Sequence, residues 1–139
     1  MAENKSFVVV DCSAIINYLF PDENINKSLQ ESFNSFLENK IDFVAPSLLK
    51  IEVGNTLRTA ILRQRLSKED SQQIFKTFLN WDIKYKTPDN LEVFILAITY
   101  NISVYDAQYL YLAINEHYPL LTLDKNLLRA YTTYLKTHR

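Results

Sequence analysis

Short apolar runs along this chain alternate with longer segments in which apolar residues recur every three or four positions. The short runs predict four strands, at residues 7–10, 41–46, 81–86 and 119–124. The longer segments predict helices near 13–19, at 26–38, from Pro46 to about 63, from 67 to about 79, from 88 onward and from about 105 to 116. The last fourteen residues are expected to be helical or irregular. Strands that alternate with helices predict an α/β layer fold with a mostly parallel sheet, and 139 residues are expected to form one domain, residues 1–139.

Two of the predicted strands run directly into an acid. Asp11 follows the run Phe-Val-Val-Val, and Asp124 follows Leu-Leu-Thr-Leu. Burying an isolated carboxylate is unfavourable unless a partner compensates its charge. The carboxyl ends of parallel strands lie at one edge of a sheet, where binding sites form. We therefore expect Asp11 and Asp124 to share that edge.

Two further acids lie in apolar surroundings. Glu52 interrupts an apolar helix, and Asp106 lies near the start of another helix. Each acid also has a purely structural interpretation. Asp11, Asp124 and Asp106 suit helix capping, and Glu52 suits a helix surface with basic neighbours. Taken together, however, four like charges would repel and raise one another's pKa, and a hard divalent cation such as Mg²⁺ or Mn²⁺ removes that conflict.

The composition narrows the chemistry further. The single glycine, Gly54, excludes a glycine-rich phosphate loop, and the single cysteine, Cys12, excludes an internal disulfide or a cysteine-based zinc site. With 47% hydrophobic and 22% charged residues, the composition is that of a soluble globular protein. A net charge of -1 argues against binding nucleic acid through a strong overall positive charge. Neither a signal peptide nor an apolar run long enough to span a membrane is visible, so a cytoplasmic location is expected.

Four segments carry a family resemblance: VVVDCSAIINYLF, APSLLKIEVGNTL, SVYDAQYLYLA and LLTLDKNLLRA. In order and spacing, from Val8 to about Ala130, they resemble the acidic motifs of PIN-domain nucleases, in particular VapC-type toxins of toxin–antitoxin pairs. The resemblance implies a three-layer α/β/α fold with four or five strands and a Mg²⁺- or Mn²⁺-dependent endoribonuclease. It also implies a homodimer and a cognate antitoxin that inserts a peptide into the acidic groove.

The resemblance assigns roles residue by residue. It implies that four acids hold the metal and carry the catalysis: Asp11, Glu52, Asp106 and Asp124. Three polar residues match the companions of those acids: Ser13, Asn55 and Thr122. We expect these three to orient the carboxylates, and ordinary capping or helix-surface roles are their alternative.

Two departures from the family pattern are visible. Many relatives end in a further short strand, which the segment TTYLKTHR does not plainly supply. A glycine often precedes the third motif, where this chain has Asn101 and Ile102. Both departures concern the sheet edge and the substrate groove rather than the acids.

Other side chains leave alternatives open. Five basic residues either contact RNA phosphates or form a solvated helix face: Lys50, Arg58, Arg63, Arg65 and Lys68. Three tyrosines at helical spacing favour core or dimer packing over base stacking: Tyr105, Tyr109 and Tyr111. His117 and His138 suggest no catalytic role.

Two other protein classes fit the sequence less well. A haloacid-dehalogenase-like phosphatase needs a second aspartate where this chain has Ser13, and a receiver domain lacks its acid pair and phosphoacceptor. A solitary RNA-processing nuclease and a non-catalytic module of the same fold remain alternatives to a toxin.

Overall fold

A parallel four-stranded sheet forms the centre of the computed structural model, which describes residues 5–20 and 24–138. The strands are β1 Ser6–Val10, β2 Ile41–Pro46, β3 Lys84–Lys86 and β4 Leu120–Leu121. Their order is β3-β2-β1-β4, and every neighbouring pair is parallel. The predicted α/β fold with a parallel sheet is therefore confirmed, and within the described residues no fifth strand joins the sheet.

Seven helices lie in the described ranges and cover this sheet. They are α1 Cys12–Leu19, α2 Lys27–Leu37, α3 Leu48–Leu62, α4 Lys68–Leu79, α5 Asn90–Tyr100, α6 Val104–Glu116 and α7 Lys125–Thr137. Helix α1 packs on α2 and α3, and α3 packs on α4, whereas α6 packs on α5, α7 and the two central strands. Crossovers between parallel strands are right-handed. The chain moves in one direction along the sheet from β1 to β2 and β3, and in the opposite direction from β3 to β4. Helices α1 to α4 therefore lie on one face of the sheet and α5 and α6 on the other, which gives three layers.

The central strands are apolar because both of their faces are covered. Val9, Val10, Phe43 and Val44 have no solvent exposure, as expected for strands in a sheet between two helical layers. Helices α3 and α4 approach closely where the only glycine lies. A Cβ added to Gly54 would lie 3.3 Å from the Phe75 ring, so glycine lets this ring pack against α3.

Several predicted boundaries were wrong by a few residues. Pro46 ends β2, paired with Lys86, instead of opening the first turn of α3, which begins after Ser47. Strand β3 begins at Lys84 rather than 81, and α6 begins at Val104 rather than 105.

The start of α5 also differs from expectation, whereas the final segment takes one of its two expected forms. Helix α5 begins at Asn90, not 88, because the Asp89 side chain accepts a hydrogen bond from the Glu92 N–H and caps it. The helix ends at Tyr100, and its C-cap residue, Asn101, has a left-handed φ of 53°. Asparagine tolerates this conformation better than most residues, which explains how it replaces the family's glycine. The last fourteen residues are helical through Thr137.

Strands β1 and β4 form the topological switch point of the sheet. Chain crossovers leave this point toward opposite faces, and ligands bind outside the carboxyl ends of the strands there. Val10 pairs with Leu121, so the next residues along the two strands, Asp11 and Thr122, face each other beyond the sheet edge. The strand predicted at 119–124 is only two residues long, Leu120–Leu121, and beyond it the backbone N–H groups of Leu123 and Asp124 donate to the Ser13 and Thr122 hydroxyls.

Within the described ranges, none of the helices is long and apolar enough to cross a membrane.

Candidate functional site

Asp11 lies at the centre of a hydrogen-bond network at the end of β1. Only 4% of its surface is exposed. Its Oδ1 accepts hydrogen bonds from the Ala14 N–H at 3.1 Å and the Ser13 hydroxyl at 2.7 Å, and its Oδ2 accepts one from the Thr122 hydroxyl at 2.5 Å. Asp11 thus caps α1, as its structural interpretation predicted. Three donors leave about one acceptor position of a carboxylate's four unused, on Oδ2.

Ser13 and Thr122 connect this carboxylate to the loop that follows β4. The Ser13 hydroxyl also accepts a hydrogen bond from the Leu123 N–H at 2.9 Å, and the Thr122 hydroxyl accepts one from the Asp124 N–H at 3.0 Å. Each hydroxyl therefore donates a hydrogen bond to Asp11, which follows β1, and accepts one from the loop that follows β4. Both residues, predicted as companions of the acids, contact Asp11 directly.

Asp124 and Asp106 lie at the starts of two helices. The Asp124 Oδ1 accepts a hydrogen bond from the Leu127 N–H at 2.9 Å and caps α7. Asp106 lies in the first turn of α6, whose cap is Ser103. Both acids are partly exposed, so solvent and ligands reach them.

Glu52 reaches the site from the middle of α3, on the other helical layer. Its Oε1 accepts a 2.5 Å hydrogen bond from the hydroxyl of Tyr109, which lies on α6 and is 1% exposed. No ion pair joins Glu52 to Lys50 or Arg58 within the described residues, and Lys50 instead lies 4.3 Å from the centre of the Tyr85 ring. The surface-pair interpretation of Glu52 is therefore wrong.

The four acids share one electrostatic environment. Burial, the largest cause, raises the pKa of Asp11, Glu52 and Asp106. The charges of neighbouring acids raise it further: Asp124 acts on Asp11 and Asp106, Asp106 acts on Glu52, and Asp11 acts on both Glu52 and Asp106. Hydrogen bonds from Thr122 and Tyr109 lower the pKa of Asp11 and Glu52, respectively, which favours the ionised forms.

Sequence reasoning missed two roles. Tyr109 was expected in the core, where it lies, but its bond to Glu52 was not foreseen; the available signal was its position one helical turn after Asp106, on the same face. Thr56 was also missed: its hydroxyl lies 3.7 Å from the Cys12 thiol and donates to the backbone carbonyl of Glu52. Burial raises the pKa of Cys12 to about 12, so this thiol is not a nucleophile at neutral pH.

Other candidates lie away from the network. Asn55 is exposed and makes no hydrogen bond to any of the four acids, so its predicted role stays a prediction. His117 ends α6 and His138 ends α7, where its ring stacks on Tyr134. Arg65 lies 5.0 Å from the Phe20 ring. The proposed phosphate contacts of the basic residues stay a prediction.

The donor set suits a hard cation in an open site. Among residues 5–20 and 24–138, no three or more histidine, cysteine, aspartate or glutamate side chains lie close enough to hold a metal ion. The acids therefore do not form an all-protein cage. Mg²⁺ is typically held by one or two carboxylates, with waters and substrate phosphate completing its shell. All four candidate ligands are carboxylates and three have raised pKa values, so the residues fit this open mode of binding.

The chain is similar to known proteins in sequence and in overall fold. The chain is 30% identical over 123 residues to Ribonuclease VapC1 of Mycobacterium tuberculosis, in the strains CDC 1551 and H37Rv, covering 88% of this chain and 89% of that protein. The crystal structure of PAE2754 from Pyrobaculum aerophilum superposes with a TM-score of 0.71 at 22% identity, covering 95% of this chain and 88% of that one. No protein-family model matches the chain.

Proposed function

This chain belongs to the VapC family of PIN-type ribonucleases, and from this premise we propose that it hydrolyses RNA phosphodiester bonds with Mg²⁺ or Mn²⁺ as its cofactor. The observation that carries the proposal is the shared field of Asp11, Glu52, Asp106 and Asp124 at the switch point between β1 and β4. Burial and the charges of neighbouring acids raise the pKa of Asp11, Glu52 and Asp106, which is an unfavourable arrangement for the bare protein, and a bound cation compensates it.

We propose that the metal would lie among these four acids, with one or two carboxylates as direct ligands and waters and substrate phosphate completing its shell. A bound Mg²⁺ or Mn²⁺ supplies Lewis-acid activation of water and neutralisation of phosphate charge. Asp11 is held rigidly by three donors with part of Oδ2 left open, so it serves as the fixed ligand. The Asp124 Oδ1 caps α7, and no hydrogen bond from residues 5–20 or 24–138 reaches its Oδ2. Glu52 keeps Oε2 available as a ligand, and Asp106, whose pKa burial raises and whose side chain is partly exposed, is the group suited to accept a proton from the attacking water.

RNA cleavage in the presence and absence of metal tests the proposal. The purified protein is incubated with a labelled structured RNA in EDTA, Mg²⁺ or Mn²⁺, beside Asp11→Asn and a matched control, Glu69→Gln, at an exposed acid on α4. We expect cleavage only with metal, a loss of at least 100-fold in Asp11→Asn, and wild-type rates in the control. Equal cleavage by Asp11→Asn and wild type would exclude this site. No cleavage together with no metal binding would favour a non-catalytic module.

We further propose that the protein is the toxin of a toxin–antitoxin pair. The acidic site, accessible through the partly exposed Asp106 and Asp124, suits a basic side chain of an inhibitory peptide. Expression in a bacterial host should arrest growth, Asp11→Asn should relieve the arrest, and co-expression of a cognate antitoxin, sought in the adjacent upstream reading frame, should neutralise it. Normal growth despite RNA cleavage in vitro would instead identify a solitary processing nuclease.

A homodimer is proposed on the exposed face of α5. Leu91, Phe94, Ile95 and Ile98 recur at helical spacing on one side of this helix, with Leu91 66% and Ile98 65% exposed. Isolated apolar side chains are common on monomer surfaces, but a continuous stripe of four marks an interaction site. A second copy of the same helix offers the matching apolar face for a two-fold interface.

A further inference from the structure

Tyr109 connects the two helices that bring Glu52 and Asp106 to the site. It lies on α6, one turn after Asp106, and its hydroxyl donates a 2.5 Å hydrogen bond to Glu52 Oε1 on α3, 57 residues away in sequence. Helices α3 and α6 belong to opposite layers of the fold. The bond therefore crosses from one layer to the other beyond the end of the sheet.

The burial of Tyr109 makes this contact rigid. The side chain is 1% exposed and is the largest fully buried residue of the core. Its ring is held by the apolar cluster, so the position of its hydroxyl is set by packing. Glu52, by contrast, has a flexible side chain and is only partly buried. A rigid donor on a flexible carboxylate selects one orientation of that carboxylate, and Oε2 then remains available to a ligand.

No other described side chain holds the Glu52 carboxylate. Asn55, one turn further along α3, is exposed and does not bond to it, and Thr56 bonds only to its backbone carbonyl. The companion of Glu52 is therefore a residue on another helix rather than its neighbour on α3.

We propose that Tyr109 is a positioning residue that holds Glu52 in the orientation needed to bind the divalent cation. This inference rests on the proposed metal-dependent function. It assigns to the tyrosine hydroxyl a role in metal affinity and turnover, separate from the packing role of the ring.

The test removes only the hydroxyl. Tyr109→Phe keeps the ring, and Tyr111→Phe is the matched control, a partly buried tyrosine on the same helix whose hydroxyl makes no hydrogen bond in the described part of the chain. The Mn²⁺ dissociation constant is measured by calorimetry on the metal-free proteins, and kcat and KM are measured on one RNA at saturating Mn²⁺. We expect Tyr109→Phe to weaken Mn²⁺ binding and lower kcat by about 10- to 100-fold each, with KM nearly unchanged. Tyr111→Phe should match wild type.

A double-mutant cycle separates positioning from packing. In a Glu52→Gln background, the positioning role predicts that Tyr109→Phe causes little further loss of Mn²⁺ affinity. Equal losses in both backgrounds, or Mn²⁺ affinity and kcat within about twofold of wild type in Tyr109→Phe, would overturn the inference. If wild type cleaves no RNA but its Mn²⁺ affinity still depends on Tyr109, the proposed function fails and the positioning role stands.

Discussion

The hydroxyl of Thr122 is expected to stabilise the folded protein because it donates to a buried charge. Thr122→Val removes that donor with almost no change of shape. A hydrogen bond to an ionised group contributes about 1.5–3 kcal/mol, and this one reaches Asp11 Oδ2 where the acid is 4% exposed. The Asp124 N–H also loses its acceptor. We expect the free energy of unfolding at pH 8, without metal, to fall by about 2–3 kcal/mol.

The loss should depend on pH in a defined direction. Burial raises the pKa of Asp11 above its ordinary 3.8, and the Thr122 hydroxyl opposes that rise. Because the pKa of Asp11 is higher in the folded state than in the unfolded state, the free energy of unfolding falls as pH rises through the range between these two pKa values. Thr122→Val raises the folded pKa further, so its destabilisation should grow as pH rises and shrink as pH falls, because protonation of Asp11 removes the charge to which the Thr122 hydroxyl donates.

The measurement is urea denaturation followed by circular dichroism at pH 4, 6 and 8 in EDTA. Thr132→Val, at an exposed threonine on α7, serves as the control and should unfold as wild type does. A destabilisation by Thr122→Val that is the same at pH 4 and pH 8 would refute the charged-acceptor argument. A loss no larger than that of the control would refute the whole assignment.

Four further outcomes are expected. Asp106→Asn should raise the unfolding midpoint of the metal-free protein at pH 8 by about 2 °C, because burial and then the charges of Asp124 and Asp11 raise the pKa of Asp106, and the gain should shrink as pH falls through that raised pKa. Millimolar Mn²⁺ should raise the midpoint of wild type in a thermal shift assay but leave that of Asp11→Asn nearly unchanged. The Cys12 thiol, with a pKa of about 12 against an ordinary 9.0, should react with iodoacetamide roughly 1,000-fold more slowly than a free thiol at pH 7.5, unless the protein is unfolded. Ile98→Asp on the exposed α5 stripe should convert a dimer to a monomer in light scattering, and an unchanged mass would place the dimer contact elsewhere.

Local patterns in the sequence predicted the α/β architecture and placed Asp11 and Asp124 at one edge of the sheet. Apolar runs that alternate with helical segments are local signals. They predict a parallel sheet because each helix carries the chain back to the edge of the sheet at which the previous strand began. Asp11 and Asp124 follow such strands, so their shared edge could be predicted without coordinates. Boundaries were less certain because capping side chains such as Asp89 and Asp124 end or begin elements within a residue or two of the apolar pattern.

Which side chains contact one another depends on how the layers of the fold pack together. Successive residues of a helix point about 100° apart, so a small rotation of α3 determines whether Glu52 or Asn55 faces the site. That rotation is set by packing against other layers, which no local pattern records. For the same reason, the Tyr109 hydroxyl on Glu52 and the Thr122 hydroxyl on Asp11, joined across 57 and 111 residues, appear only when the layers are assembled.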